Sequence, residues 1–410
     1  MRIVNLCAAL ASAAIVTQAY SADIQSISRI AFGPSDVLFV ADWKASTIDA
    51  IRLPAAPASA ASPYNIYDLA TLLSRVSGGA AVHVKDMKAR PGTGMVYVAY
   101  EYGPNALPAL AEVTPQGMVQ PVDLKAASAT EIVLKNATTA NISFWGKFPE
   151  RSLTVTDMKW NGSELFVAGL SNLSFASSLW RVRYPFDGTS NLTTLEIFHT
   201  THNQIETRAP IRAMTFAELN GMPYLVAAYL CTPLVTIPLD ALKDGAHLRG
   251  QTIAELGYGN TPSDMISYSS TSQGTTTSNI LLTNFERSAD LMPVSAVASA
   301  AAGPGLNQWV PFGQIQGIQP EALPLSGVVR VDNLDDKFIV ALRNDIESGK
   351  TQLVTYDKSY FIRVSDYVQE YAFPGYTYPP GFETNVIAPI EATLRQEEGY
   401  TSPYTTYVPR

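Results

Sequence analysis

Asp157-Met158-Lys159-Trp160, then Asn161-Gly162-Ser163, then Leu165-Phe166-Val167-Ala168, is the stretch that decides the fold. Two short apolar runs flanking a polar Gly-containing turn read as a β-hairpin. The same plan recurs five times. Leading strands centre on Arg29-Ile30-Ala31-Phe32, Asp86-Met87-Lys88-Ala89, Ala213-Met214-Thr215-Phe216, Asp264-Met265-Ile266-Ser267 and Val328-Val329-Arg330-Val331. The strands answering them are Val37-Leu38-Phe39-Val40-Ala41, Met95-Val96-Tyr97-Val98-Ala99, Tyr224-Leu225-Val226-Ala227, Ile280-Leu281-Leu282-Thr283 and Phe338-Ile339-Val340-Ala341. From Ile30, Met87, Met158, Met214, Met265 and Val329 to Val40, Val98, Val167, Val226, Leu282 and Val340 the steps are 10, 11, 9, 12, 17 and 11 residues. Leading positions are 57, 71, 56, 51 and 64 residues apart, a period that points to a propeller or solenoid.

Third and fourth apolar segments complete a unit, as in Ser178–Val182 with Thr194–Phe198 or in Gln352–Tyr356. Four short strands form one twisted sheet that cannot bury both faces alone. Several sheets arranged radially can, and the expectation is an all-β β-propeller of four-stranded blades. With residues 1–22 set aside, six units take about 65 residues each, so six blades are favoured over seven. The surplus falls in loops expected at 103–119, 136–152 and 268–279, and a seventh unit would have to hide at 120–150 or after 360.

Leu38-Phe39-Val40-Ala41-Asp42-Trp43, with Ile48 behind it, resembles the strand-and-turn signature of NHL-like six-bladed propellers, and Pro262-Ser263-Asp264-Met265 is similar to the leading strand of that group. The resemblance covers about six short segments. It implies the fold class and an exported or scaffolding setting, and no substrate. The Gly-rich turn of that group is kept in part, at Gly92, Gly94 and Gly162.

The N-terminus has one positive charge at Arg2, an uncharged apolar run from Val4 to Val16, and a small-residue exit through Ala19 to Ala22. That pattern predicts a cleaved signal peptide over residues 1–22, cut near Ala19–Ala22, and hence a soluble periplasmic or secreted protein. Cys7 leaves with it, and Cys231 then stands without a disulfide partner. No later run is long enough to span a membrane. The chain carries 28 basic and 36 acidic side chains, a net charge of −8, with no basic block, which argues against nucleic acid as a partner.

Antiparallel pairing sets the start of each first strand beside the end of each second strand, so one end of the central channel gathers both groups. The first group offers Arg29, Lys85, Asp86, Asp157, Arg212 and Asp264. The second offers Asp42, Trp43, Lys44, Tyr100, Glu101, Tyr229, Asn284, Glu286, Arg287, Arg343 and Asn344. Of these, Asp42, Trp43, Tyr100, Glu101, Tyr229, Asn284, Arg287 and Arg343 are the expected ligand-binding set. Asp86, Asp157 and Asp264 share one repeat position. Such carboxylates either accept backbone N–H groups at a crowded wall or converge on Ca²⁺ or another divalent cation.

His83 precedes a first strand and is the candidate general base. His199 and His202 end a strand at a spacing that places them on opposite faces, which favours ordinary polar roles over a metal site. No haem, nucleophile-elbow or phosphate-loop motif appears. Residues 23–370 are expected to form the propeller, and the Tyr- and Pro-rich 371–410 an extension packed on it, with one helix over Asn385 to Glu398. The leading functional expectation is a binding or scaffold propeller that takes a small molecule or a protein at one rim. The alternatives are a metal-assisted lactonase or esterase and a component of a quinone-linked dehydrogenase.

Overall fold

Val37–Asp42 and Glu164–Leu170 are buried along their whole length, on both faces. Strands covered on both sides read as continuous apolar runs rather than alternating ones, which is why the Val-Ala segments stand out in the sequence. The computed structural model describes residues 20–21, 23–125, 128–272, 274–370 and 377–400. Six small antiparallel sheets stand in a ring, and the molecule is a six-bladed β-propeller with four-stranded blades.

The innermost strands are Arg29–Phe32, Val82–Ala89, Asp157–Trp160, Ile211–Leu219, Pro262–Ser272 and Val328–Asn333, which define blades 1 to 6 in chain order. Four of the six pairings follow the sequence alignment: Ile30 with Val40, Met87 with Val98, Met158 with Val167 and Met265 with Leu282. Two slip. Met214 pairs with Ala227, and Val340 pairs with Asp332 instead of Val329. In blade 6 Val329 is itself the unpaired residue of a register shift near the strand entrance, and in blade 4 the hairpin sets Met214 opposite Ala227; similar shifts in blades 2 and 5 leave the expected pairing intact.

The blades do not follow one another around the ring in chain order. Buried side chains of blade 1 pack on blade 3 through Phe39, Val155, Met158 and Trp180, and on blade 2 through Ile30, Tyr97 and Leu110. Blade 2 packs in turn on blade 6 through Val98, Leu334 and Val340. Blades 3 to 6 succeed each other normally. The circular order is therefore 2-1-3-4-5-6, with blade 2 inserted between blades 6 and 1.

Two strands that belong to other blades make this order possible. After three strands of blade 1, the chain crosses the edge of blade 2, where Ser59 donates to the Gly92 carbonyl at 2.9 Å. There Gly94, at φ +67°, leaves no room for a side chain, because a Cβ would stand 2.9 Å from the Ala61 Cα. Asn65–Ile66 then supplies the outer strand of blade 6. A helix, Leu69–Val76, N-capped by Asp68 through the Thr71 N–H at 2.9 Å, leads back into blade 2. Once blade 2 is complete, Ser128–Val133 returns to close blade 1 as its outer strand. The segment 120–150 thus finishes an existing blade. Residues 107–121 are paired strands of blade 2, and 268–279 prolong the first hairpin of blade 5.

The expected helix appears as a π-helical turn, Glu383–Ile387, continuing into Ala388–Glu397. Leu394 is buried, and Glu398 accepts the Val364 and Ser365 N–H groups while standing 3.7 Å from Arg363. This part of the extension packs beside blade 6. Residues 1–19 and 22 of the expected 1–22 leader and the tyrosines at 371, 376, 404 and 407 lie outside the described residues. Among the described residues, no helix is long and apolar enough to cross a membrane.

Tyr64 pins the crossover. It is fully buried, and its hydroxyl lies 2.9 Å from the Gly94 carbonyl and 2.8 Å from that of Val113, both in blade 2. Tyr64→Phe is expected to lose about 1 kcal/mol of stability, and Tyr64→Ala about 3–5 kcal/mol. Urea unfolding checks both, and variants as stable as the parent would contradict this role.

Candidate functional site at the channel mouth

Four carboxylates line the channel, and each takes a backbone N–H from the next inner strand in the ring. Asp86 accepts the Ile30 N–H at 2.8 Å, Asp157 that of Met214 at 2.8 Å, Asp264 that of Val331 at 3.3 Å and Asp332 that of Ala89 at 2.9 Å. Asp157, Asp264 and Asp332 also take the N–H of the residue that follows them. These bonds run from blade 2 to 1, 3 to 4, 5 to 6 and 6 to 2, one rotational sense throughout. Inner strands are pressed together where a propeller narrows, and an N–H facing the neighbouring blade has to find an acceptor there.

Five cations share the same wall: Arg29, Lys88, Lys159, Arg212 and Arg330. Lys88 and Lys159 reach Asp264 at 3.2 and 3.0 Å, and Arg330 Nε stands 3.3 Å from Asp86. Burial works against ionising Asp264, yet Lys159, Lys88 and Arg330 hold its carboxyl far below the usual carboxylate range. Asp157 and Asp332 are raised, because burial outweighs their cationic neighbours. Arg29 is pushed down to about 10 by burial and by Arg330, against the pull of Asp86 and Asp157. Arg212 is lowered by burial and by Arg330, and its buried Nε has no hydrogen-bond partner among the described residues. Arg212 is the extra residue of a register shift, which turns it out of the ladder at the entrance of blade 4. The mouth thus carries guanidinium groups that press on one another, a field that favours an anionic group.

The other expected site residues divide. His83 is exposed and lines a cavity of about 300 Å³ with Lys85, Arg330, Phe285, Asn344 and Thr351, between blades 2 and 6. Glu101 pairs with Lys85 at 3.2 Å beside it. Asp42 is buried in its own turn, where it accepts from Ser26 and from the Gln25, Lys44 and Ala45 N–H groups. Trp43 stays there under Lys44. Tyr100 lies against Ser77 of the crossover, and Tyr229 is buried inside its blade. Asn284 and Arg287 both bind Asp290, and Arg343 holds Asp366 at 2.6 Å together with Gln352. The set therefore shares one face of the disc without converging on one cavity.

Sequence reading missed the exposed apolar residues of that face. Trp145 and Ile346 are each 87 % exposed, Tyr258 72 %, Phe312 65 %, Trp309 59 % and Phe285 47 %. Strand directions put all six on loops at the mouth side. Tyr258 and Phe285 follow strands that end there, Ile346 lies just beyond Asn344, and Val310 bonds to Thr200 at the same end. Tyr258 and Phe312 meet edge to face at 5.4 Å. The only available signal was aromatic residues inside Gly- and Pro-containing loops, which does not reveal exposure.

No family model and no curated protein matches the chain. Among solved structures, the chain is similar to one from the mitotic checkpoint complex, at 9% identity and TM-score 0.34, covering 87% of this chain and 99% of that one. It is also similar to the PQQ-bound aldose sugar dehydrogenase of Streptomyces coelicolor, at 9% identity and TM-score 0.34, with 82% and 96% covered. A streptogramin B lyase gives 9% identity and TM-score 0.33, with 82% and 96% covered.

Asp86 and Asp264 occupy one repeat position but carry different loads. Asp264→Asn is expected to cost about 3–5 kcal/mol, since it strands the buried Lys88 and the half-buried Lys159, and Asp86→Asn distinctly less. Because the Asp264 carboxyl is depressed in the folded state, its contribution is present above the unfolded value near 4 and is lost only as pH falls through the lower folded value. The gap between parent and Asp264→Asn should therefore persist at pH 4 in denaturant titrations; equal losses for the two variants would contradict the assignment.

Proposed function

We propose that this protein is an exported binding propeller whose mouth face docks a protein partner that presents an acidic group to the channel. The observation that carries this reading is the gathering of Trp145, Tyr258, Phe285, Trp309, Phe312 and Ile346 on the loops of one face. Large side chains left bare on a rigid scaffold are the usual anchors of an interface. The crowded guanidinium groups of Arg29, Arg212 and Arg330 at the centre of the same face supply the charge preference.

The hydrolase alternative draws less support. A hard cation needs several open oxygen ligands, whereas the oxygens of Asp86, Asp157 and Asp264 face N–H groups, lysines and Arg330. Export rests on the N-terminal pattern of Arg2, the apolar run and the small residues ending at Ala22.

Two measurements test the reading. Cross-linking in the native host, followed by peptide mapping, should place partner cross-links on the mouth-side loops. The combined variant Tyr258→Ser, Trp309→Ser, Phe312→Ser should lower the affinity for the captured partner by at least about tenfold, as hot-spot anchors do, while its unfolding midpoint stays unchanged. Sequencing the extracytoplasmic form should find Tyr20 or Asp23 at its start. Cross-links confined to the opposite face, or a cytoplasmic chain that retains Arg2, would overturn the respective half.

A further inference from the structure

Away from the channel, where blades 3 and 4 meet on the mouth side, three metal-binding side chains come together. The outer strand of blade 3, Ser190–His199, ends at His199 and turns back into Gln204–Glu206. Asn203 closes that turn with φ +52° and an N–H bond to the Thr200 carbonyl at 3.2 Å. Strand spacing would send His199 and His202 to opposite faces. Because the strand stops at His199, the turn instead folds His202 back, and the two rings lie with centroids 3.8 Å apart.

Cys231 completes the group from the turn between Met222–Tyr229 and Pro233–Pro238 of blade 4. One ligand atom each from His199, His202 and Cys231 lies within 4.8 Å of the others. Two donors on one tetrahedral zinc are about 3.5 Å apart, from bonds near 2.0 Å to nitrogen and 2.3 Å to sulfur. Closing the cluster on an ion therefore takes small side-chain adjustments.

Two independent features of the surroundings point the same way. Cys231 sits at φ +80°, a backbone region where glycine is the usual occupant and other residues are strained. Its carbonyl is held by Asn260 Nδ2 at 2.9 Å, so the strained turn is fixed. That backbone and its anchor fix where the sulfur stands. The second feature is Glu206. Its two oxygens stand 3.0 Å from His199 Nδ1 and 2.5 Å from His202 Nδ1, so one carboxylate is hydrogen-bonded to the second ring and within ion-pair reach of the first, whose Nε2 lies 3.3 Å from the Thr232 hydroxyl. Metal-binding histidines characteristically have the ring nitrogen away from the ion held by a carboxylate.

We propose that His199, His202 and Cys231 bind one transition-metal ion of the zinc class, with Glu206 positioning the two imidazoles. Two imidazoles and a thiolate suit a borderline-soft divalent ion and not Ca²⁺ or Mg²⁺. Zinc enters as Zn²⁺, and the Cys231 thiol gives up its proton to solvent as the Zn–S bond forms. The site ties blade 3 to blade 4 at the rim and is independent of the partner-docking reading.

The test uses the full chain, stripped with a chelator and titrated with Zn²⁺ by calorimetry and with Co²⁺ by absorption. The expected results are one equivalent per chain, a thiolate-to-cobalt charge-transfer band, and a rise in the unfolding midpoint on adding Zn²⁺. His202→Ala, at an exposed position, should weaken zinc binding by more than the ten- to hundredfold typical of outer orienting groups. Cys231→Gly suits the local backbone, so the metal-free variant should remain folded while losing the cobalt band and the zinc-induced rise. His247→Ala, whose ring pairs with Glu196 elsewhere, should bind as the parent does. No zinc uptake, uptake unchanged in His202→Ala and Cys231→Gly, or a cobalt complex without the thiolate band would overturn the proposal.

Discussion

A carboxylate that accepts the backbone N–H of the neighbouring inner strand is the interaction on which this propeller depends. Inner strands have no room for water between them and cannot pair with one another as a continuous ladder. Asp86, Asp157, Asp264 and Asp332 supply the missing acceptors, and each does so toward the same side. Four negative charges, three of them buried, would repel one another if left alone. Lys88, Lys159, Arg29 and Arg330 answer them, and this is why the channel is a filled ion network. Arg29 and Arg212, at the entrances of blades 1 and 4, stand with Arg330 at the mouth end of that network.

The same bonds account for the circular order of the blades. Blade 2 reaches blade 1 through Asp86 and is reached from blade 6 through Asp332, so it fits between them although the chain visits it second. Once it is there, the edges of blades 1 and 6 need strands from elsewhere. Ser128–Val133 and Asn65–Ile66 provide them on the way out of blade 2 and on the way in. These two strands close the ring, and Tyr64 fastens the crossing between them.

Much of this was legible in the sequence. The six hairpins, their second strands and the shared position of Asp86, Asp157 and Asp264 follow from apolar periodicity, which burial on both faces imposes directly. The blade order does not, because Asn65–Ile66 contributes a pair of residues to a strand and carries almost no pattern. Asp332 was missed since Arg330 takes the place that Asp86 and Asp264 hold, just after the register shift, and Asp332 stands two residues further along, at the level of Lys88. Of the expected mouth residues, the candidate base His83 and Lys85 line one cavity with Glu101 paired to Lys85 beside it, whereas Tyr229 and Asn284 turn into their own blades and Tyr100 lies against Ser77 of the crossover. Direction along a strand can be counted, but inward or outward aim at a strand end depends on the turn that follows. That limitation also hid the meeting of His199, His202 and Cys231, which rests on a tight turn and one left-handed residue.

A double-mutant cycle between blades 2 and 6 tests the inserted order most directly. Asp86 and Arg330 are 56 and 300 residues beyond Ile30 in the chain yet stand 3.3 Å apart across the channel wall. With Asp86→Asn, Arg330→Met and the double variant compared by equilibrium unfolding, direct contact predicts a coupling energy of about 1–3 kcal/mol. Losses that add within about 0.5 kcal/mol would mean that the two blades are not neighbours, and the order 2-1-3-4-5-6 would be wrong.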